Sequence, residues 1–104
     1  MTRVKLWQDE WSAGMRVEGH AGYDSTGRDI VCAACSVLVQ ALASSLANVG
    51  LKQTWRQESG SFWYEISKSG QAELVTYAMG AYGMAVTGLE MLAAAYPKNV
   101  AIEK

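Results

Sequence analysis

From Asp29 to about Val49 the apolar residues Val31, Ala34, Leu38, Leu42, Leu46 and Val49 recur at helical spacing, with no proline in the run. The pattern predicts one long amphipathic helix, with Asp29 as N-cap and Gly50 as C-cap. Such a helix must bury its apolar face against another layer of structure, so the segments on either side have to supply that layer.

They read as strands. Apolar residues alternate in Arg3 to Gln8 and in Met15 to Gly19, with a turn expected around Ser12-Ala13-Gly14. Leu51 to Glu58 and Ser61 to Ser67 repeat the scheme with the β-favouring residues Trp55, Phe62, Trp63, Tyr64 and Ile66, separated by Ser59-Gly60. A second helical pattern runs from about Gln71 to Tyr96, with Leu74, Ala78, Ala81, Ala85, Leu89 and Leu92 on one face, and stops before Pro97. Val100 and Ile102 suggest a short last strand. Gly80, Gly83 and Gly88 each weaken that helix by roughly 1 kcal/mol relative to alanine. Close approach to the first helix or to a second subunit is the compensation expected, with a functional kink as the alternative. The fold class is therefore α+β with two layers: a small, mostly antiparallel sheet with two helices on one face, in the order β-β-α-β-β-α-β. The chain of 104 residues reads as a single domain, 1–104.

Half the residues are hydrophobic, which excludes a disordered chain. Nine Lys and Arg against ten Asp and Glu leave no electrostatic footprint for nucleic acid, so no direct nucleic-acid partner is expected. The start of the chain turns polar within a few residues and lacks the apolar core of a signal peptide, which points to a cytoplasmic protein. The apolar run Ile30 to Leu42 is short and interrupted by Ser36 and Gln40, so no membrane span is expected. In that compartment thiols stay reduced, and the role of Cys32 and Cys35 should be chemical.

One histidine and two cysteines leave few pairings of nucleophile and base. His20 follows Gly19 at the end of a strand, and Cys32 falls in the first turn of the helix that Asp29 caps. A first-turn thiol lies near unpaired N–H groups and the positive end of the helix dipole, an environment that favours thiolate. The N–H groups of Cys32 and Ala33 are the expected donors to an oxyanion formed during acyl transfer. The plain alternative is a surface histidine and a small buried cysteine in an alanine-rich helix.

The segment GHAGYDSTGRDIVCAACS alters that balance. Gly19-His20-Ala21, Gly27, Asp29-Ile30-Val31-Cys32-Ala33-Ala34 and Ser36 resemble, residue for residue, the signature of the bacterial ribosomal-processing cysteine proteases. The likeness extends along nearly the whole chain in element order and length. It implies a thiol protease without metal or cofactor, with His20 as general base and Cys32 as nucleophile through a thioester. It also implies a homodimer whose partner is the N-terminal extension peptide of a large-subunit ribosomal protein, the twenty-seventh in the usual series, and hence a role in ribosome biogenesis.

Around that pair, Gly19, Gly27, Asp29, Ala33 and Ser36 are the expected supporting or substrate-binding residues. Asp29 has two readings: a cap on the N–H groups of Val31 or Cys32, or a group that orients His20. Ser36 lies one turn beyond Cys32 on the same face. Residues 22–28 have the composition of a loop that could act as a lid or be a plain exposed turn. Cys35 departs from the family pattern and creates Cys-Ala-Ala-Cys, which opens a thiol redox reading. A zinc site from His20, Cys32, Cys35 and Asp24 is the remoter alternative. A ribosome-assembly binding module without catalysis is the third; Trp7, Trp11, Trp55, Trp63 and Tyr64 read as core or dimer-interface residues, since a stacking platform for RNA would bring more basic residues than Lys52 and Arg56.

Overall fold

Alternating burial along the strands decides how this chain folds. The computed structural model describes residues 1–104 as β1 (Thr2–Gln8), β2 (Ser12–Glu18), α1 (Ile30–Leu46), β3 (Gln53–Glu58), β4 (Ser61–Ser67), α2 (Ala72–Ala95) and β5 (Val100–Glu103). The predicted order holds. The strands form one sheet in the order β3-β4-β2-β1-β5, antiparallel throughout except where β5 runs parallel to β1. Val4, Leu6, Met15, Val17, Phe62, Tyr64 and Ile66 turn to one face and are buried. The other face carries Trp7, Arg16, Arg56 and Trp63, with Arg56 stacked 5.2 Å from the Trp63 ring centre and the two indoles 5.9 Å apart.

Both helices cover the apolar face and lean on each other. Val31, Cys35, Val39, Leu42, Ala43 and Leu46 of α1 and Ala78, Tyr82, Ala85 and Leu89 of α2 complete the core. The buried stripe of α1 is thus rotated from the one expected. Ala34 and Leu38 are only half-buried, because Leu38 turns to α2, where its methyls fill the space beside Gly88. Close approach to α1 therefore accounts for Gly88, whereas Gly80 and Gly83 face open space. Tyr82 ties α2 to the sheet through its hydroxyl, which lies 2.6 Å from the Gly14 carbonyl and 3.0 Å from that of Trp7.

Three boundaries differ from the sequence reading. The first hairpin turns at Asp9 to Trp11, not at Ser12 to Gly14, because the Asp9 carboxylate accepts from the N–H groups of Trp11 and Ser12 at 2.7 and 2.9 Å and closes the turn early. Helix α1 ends at Leu46 with Ala47 as C-cap, and Gly50 adopts its positive φ of 85° beyond the helix. Strand β3 begins at Gln53, since Leu51 turns into the core. Helix α2 is also long enough, at a mean hydropathy of 1.2, to cross a membrane by length and composition. A search for uncharged runs misses it, because Glu73 and Glu90 interrupt the sequence.

Candidate active site

The register of β2 against β4 builds the site. Glu18 pairs with Ser61 at the end of this ladder, and the next bond, from the Gly19 N–H to the Gly60 carbonyl, measures 2.8 Å. The chain leaving β2 therefore runs beside the β3–β4 turn. Gly19 has φ +88°, and a Cβ there would stand 2.5 Å from the Met1 carbonyl oxygen, so no other residue fits this exit. His20 follows directly. Its Nε2 lies 3.1 Å from the place a Cβ on Gly60 would occupy, so the glycine of the turn leaves room for the imidazole.

Cys32 reaches the same place from α1. Its Sγ accepts a hydrogen bond from the Ala21 N–H at 3.0 Å. Two clefts meet there. One, of about 240 Å³, separates α1 from the β3–β4 turn and is floored by Val17, Val39 and Phe62. The other, of about 290 Å³, runs beneath the 22–28 loop and is lined by Gly27, Asp29 and Ala33. His20, Cys32 and Ser36 border both. Gly19 borders the first cleft, so every residue singled out in the sequence lies at one or both.

Asp29 is the organising group. Its Oδ1 accepts from the N–H groups of Val31 and Cys32 at 3.0 and 2.9 Å, and its Oδ2 from those of Tyr23 and Asp24 at 2.9 and 3.3 Å. Burial alone would raise the carboxyl, but these N–H donors outweigh it and hold Asp29 below the usual carboxylate range. The capping reading is the one realised, and no bond of the carboxylate goes to His20. The 22–28 loop is pinned by the same contacts and by the edge of the Tyr23 ring against Tyr96, with ring centres 5.4 Å apart.

This arrangement overturns one expectation. The Cys32 N–H is taken by Asp29 Oδ1, and the Ala33 N–H by the Asp29 carbonyl at 3.1 Å. Neither is free to hold an oxyanion. Sequence reasoning also missed the opposite wall of the first cleft, Gln57 to Phe62, and the Ala21 N–H that meets the sulfur. No local signal marks them, since only the non-sequential pairing of β2 with β4 brings that wall alongside. His20, Cys32, Cys35 and Asp24 do not gather into a metal-binding group. Cys35 is buried beneath Cys32, and burial, with Cys32 and Asp29 nearby, pushes its thiol up to about 11.

Residues 1–101 match the sequence profile of the family described as cysteine protease Prp. The chain belongs to the Prp cysteine protease family. As a Prp-family protease it shares its fold with the ribosomal processing protease Prp of S. aureus. In complex with a covalently linked product peptide, that structure superposes with a TM-score of 0.78 at 18% identity, over 99% of this chain and 98% of the other. The same S. aureus protease with a substrate peptide gives 0.74 at 17% identity, over 99% and 98%. A Streptococcus mutans protein gives 0.72 at 22%, over 99% and 92%. No curated protein matches the chain.

The capping geometry has a measurable pH signature. The folded Asp29 carboxyl titrates below its ordinary value of 3.8, so its contribution to stability is fully present above that pH and is lost as pH falls through the folded value. Urea midpoints of the wild type should therefore exceed those of Asp29→Asn by a constant margin near neutrality. The margin should shrink below the ordinary carboxylate value; a margin independent of pH would contradict the assignment.

Proposed function

We propose that this protease removes the N-terminal extension of a large-subunit ribosomal protein, the twenty-seventh in the usual series, in the cytoplasm, with Cys32 as nucleophile and His20 as general base. The observation that carries the reading is that two clefts share Cys32 and His20 in their walls. An extended peptide laid across that shared wall would have its scissile carbonyl at the thiol and its two halves in separate clefts. The apolar floor of Val17, Val39 and Phe62 suits an apolar side chain of the extension. The S. aureus relative was captured with a covalently linked product peptide and with a substrate peptide, in keeping with an acyl-enzyme route.

In this reading His20 takes the proton of the Cys32 thiol, the thiolate attacks the carbonyl, and the His20 imidazolium delivers that proton to the departing amine. The extension is left as a thioester on Cys32. His20 then takes a proton from water, whose attack releases the extension as a free acid and restores the thiol. Of the two cysteines only Cys32 suits the role. Reactivity follows the thiolate and its exposure, and the buried Cys35 thiol holds its proton to about pH 11. Asp29 serves the reaction indirectly by fixing the backbone of Cys32, while Ser36, Ala33, Gly19 and Gly27 line the path of the peptide.

We further propose that the protein acts as a homodimer through the outer face of α2. Tyr77, Met84 and Met91 recur there at helical spacing and are 59%, 69% and 67% exposed. Gly80 and Gly83 lie between them with open space above their Cα atoms. Small residues beside flexible methionines let a second helix approach closely.

Two measurements test these readings. Cys32→Ala should lower cleavage of an extension-bearing ribosomal protein by about a thousandfold or more with the fold retained, whereas Cys35→Ala should cleave normally. A dithiol redox enzyme would instead need Cys35. Met84→Lys should convert the dimer to a monomer in sedimentation velocity; an unchanged dimer would place the interface elsewhere.

A further inference from the structure

With the Cys32 and Ala33 N–H groups committed to Asp29, the oxyanion has to be met by another donor. The Ala21 N–H is already aimed at the reacting sulfur, 3.0 Å from Sγ. In a tetrahedral adduct the oxyanion lies only two bonds from that sulfur. A donor trained on Sγ before attack is thus trained on the region where negative charge gathers afterwards.

A donor of this kind works only if the backbone around it is held in place, and one side chain from the far end of the sequence holds the peptide that follows it. Asn99 Nδ2 donates to the Ala21 carbonyl at 3.0 Å. Asn99 is itself locked: its N–H donates to the Tyr96 carbonyl at 2.9 Å, and its carbonyl accepts from the Thr2 N–H at 2.9 Å. Ala21 is only 2% exposed. Both peptide planes that meet at the Ala21 Cα are therefore fixed, one by Asn99 and the other by the nucleophile. The connection between α2 and β5, 78 residues away in sequence, reaches the site through a single side-chain amide.

We infer that the Ala21 N–H is the oxyanion donor of this protease and that Asn99 is the positioning residue that aims it; the inference rests on the protease reading above. As the Sγ–C bond forms, the carbonyl π pair moves onto oxygen, and the Ala21 N–H shifts its hydrogen bond from sulfur to that oxygen. Collapse restores the carbonyl and breaks the C–N bond, and the departing nitrogen takes its proton from the His20 imidazolium. Asn99 makes no contact with substrate. It acts by anchoring the Ala21–Gly22 peptide, which limits rotation about the Ala21 Cα and so keeps the preceding N–H aimed at the site.

Asn99→Asp keeps the shape of the side chain but removes the N–H donor and sets a carboxylate against the Ala21 carbonyl. Asn99→Ala removes the contact without adding charge. Both should lower kcat on an extension peptide on the order of tenfold, the equivalent of one hydrogen bond, and leave KM within about twofold. Inhibition by a peptide aldehyde of the same sequence, whose adduct with Cys32 carries the oxyanion, should weaken by the same factor as kcat falls. In the wild type, the Ala21 amide resonance should move on formation of that adduct. Wild-type kcat in folded Asn99→Asp overturns the inference, as does a fall in thermal midpoint with kcat and aldehyde affinity unchanged, or an Ala21 amide that does not respond to the adduct. A wild-type protein that neither cleaves the peptide nor forms the aldehyde adduct overturns the protease reading and this inference with it.

Discussion

One carboxylate organises the candidate active site of this molecule. Asp29 receives four backbone N–H groups, two from the first turn of α1 and two from the loop before it, and so joins the strand exit at His20 to the helix that carries Cys32. The side chain caps the helix, closes the loop and sets the main-chain position of the thiol in a single arrangement. Its full occupation has a consequence for chemistry. The N–H groups that helix geometry would offer to an oxyanion are used to build the site, and in the proposed mechanism the donor role passes to the segment carrying His20.

The sheet supplies what Asp29 cannot. Because β2 pairs with β4 as well as β1, the exit from β2 lies beside the β3–β4 turn, and that turn becomes the far wall of the first cleft. Because β5 returns parallel to β1, the connection before it comes back over the same exit and delivers Asn99 to Ala21. The proposed nucleophile, base and backbone donor thus come from neighbouring segments. The groups that hold them come from the rest of the chain.

Much of this was legible in the sequence where information is local. Alternation and helical period foretold all seven elements in order, and the spacing of Asp29 ahead of the apolar run identified a cap whose oxygens do bind the N–H groups of Val31 and Cys32. Where several local signals compete, the reading slipped. Ser12-Ala13-Gly14 has turn composition, yet the Asp9 side chain closes the turn first; Gly50 looks like a helix cap, yet α1 has already ended at Ala47. The buried stripe of α1 is rotated from the one its period predicts because Leu38 packs beside Gly88 on the other helix, a partner that no window along the chain includes. The occupied N–H groups of Cys32 and Ala33, the wall from Gln57 to Phe62 and the reach of Asn99 all depend on three-dimensional pairing. Composition carries no trace of them.

The central claim is that peptide cleavage passes through an acyl group on the Cys32 sulfur. An extension-bearing ribosomal protein can be mixed with the enzyme, quenched in acid while turnover proceeds, and the enzyme digested and weighed by mass spectrometry. The account predicts that the fragment containing Cys32 and Cys35 gains the mass of the released extension less one water, that fragmentation puts the addition on Cys32, and that hydroxylamine removes it. Turnover with no such adduct, or an adduct carried by Cys35, would contradict it.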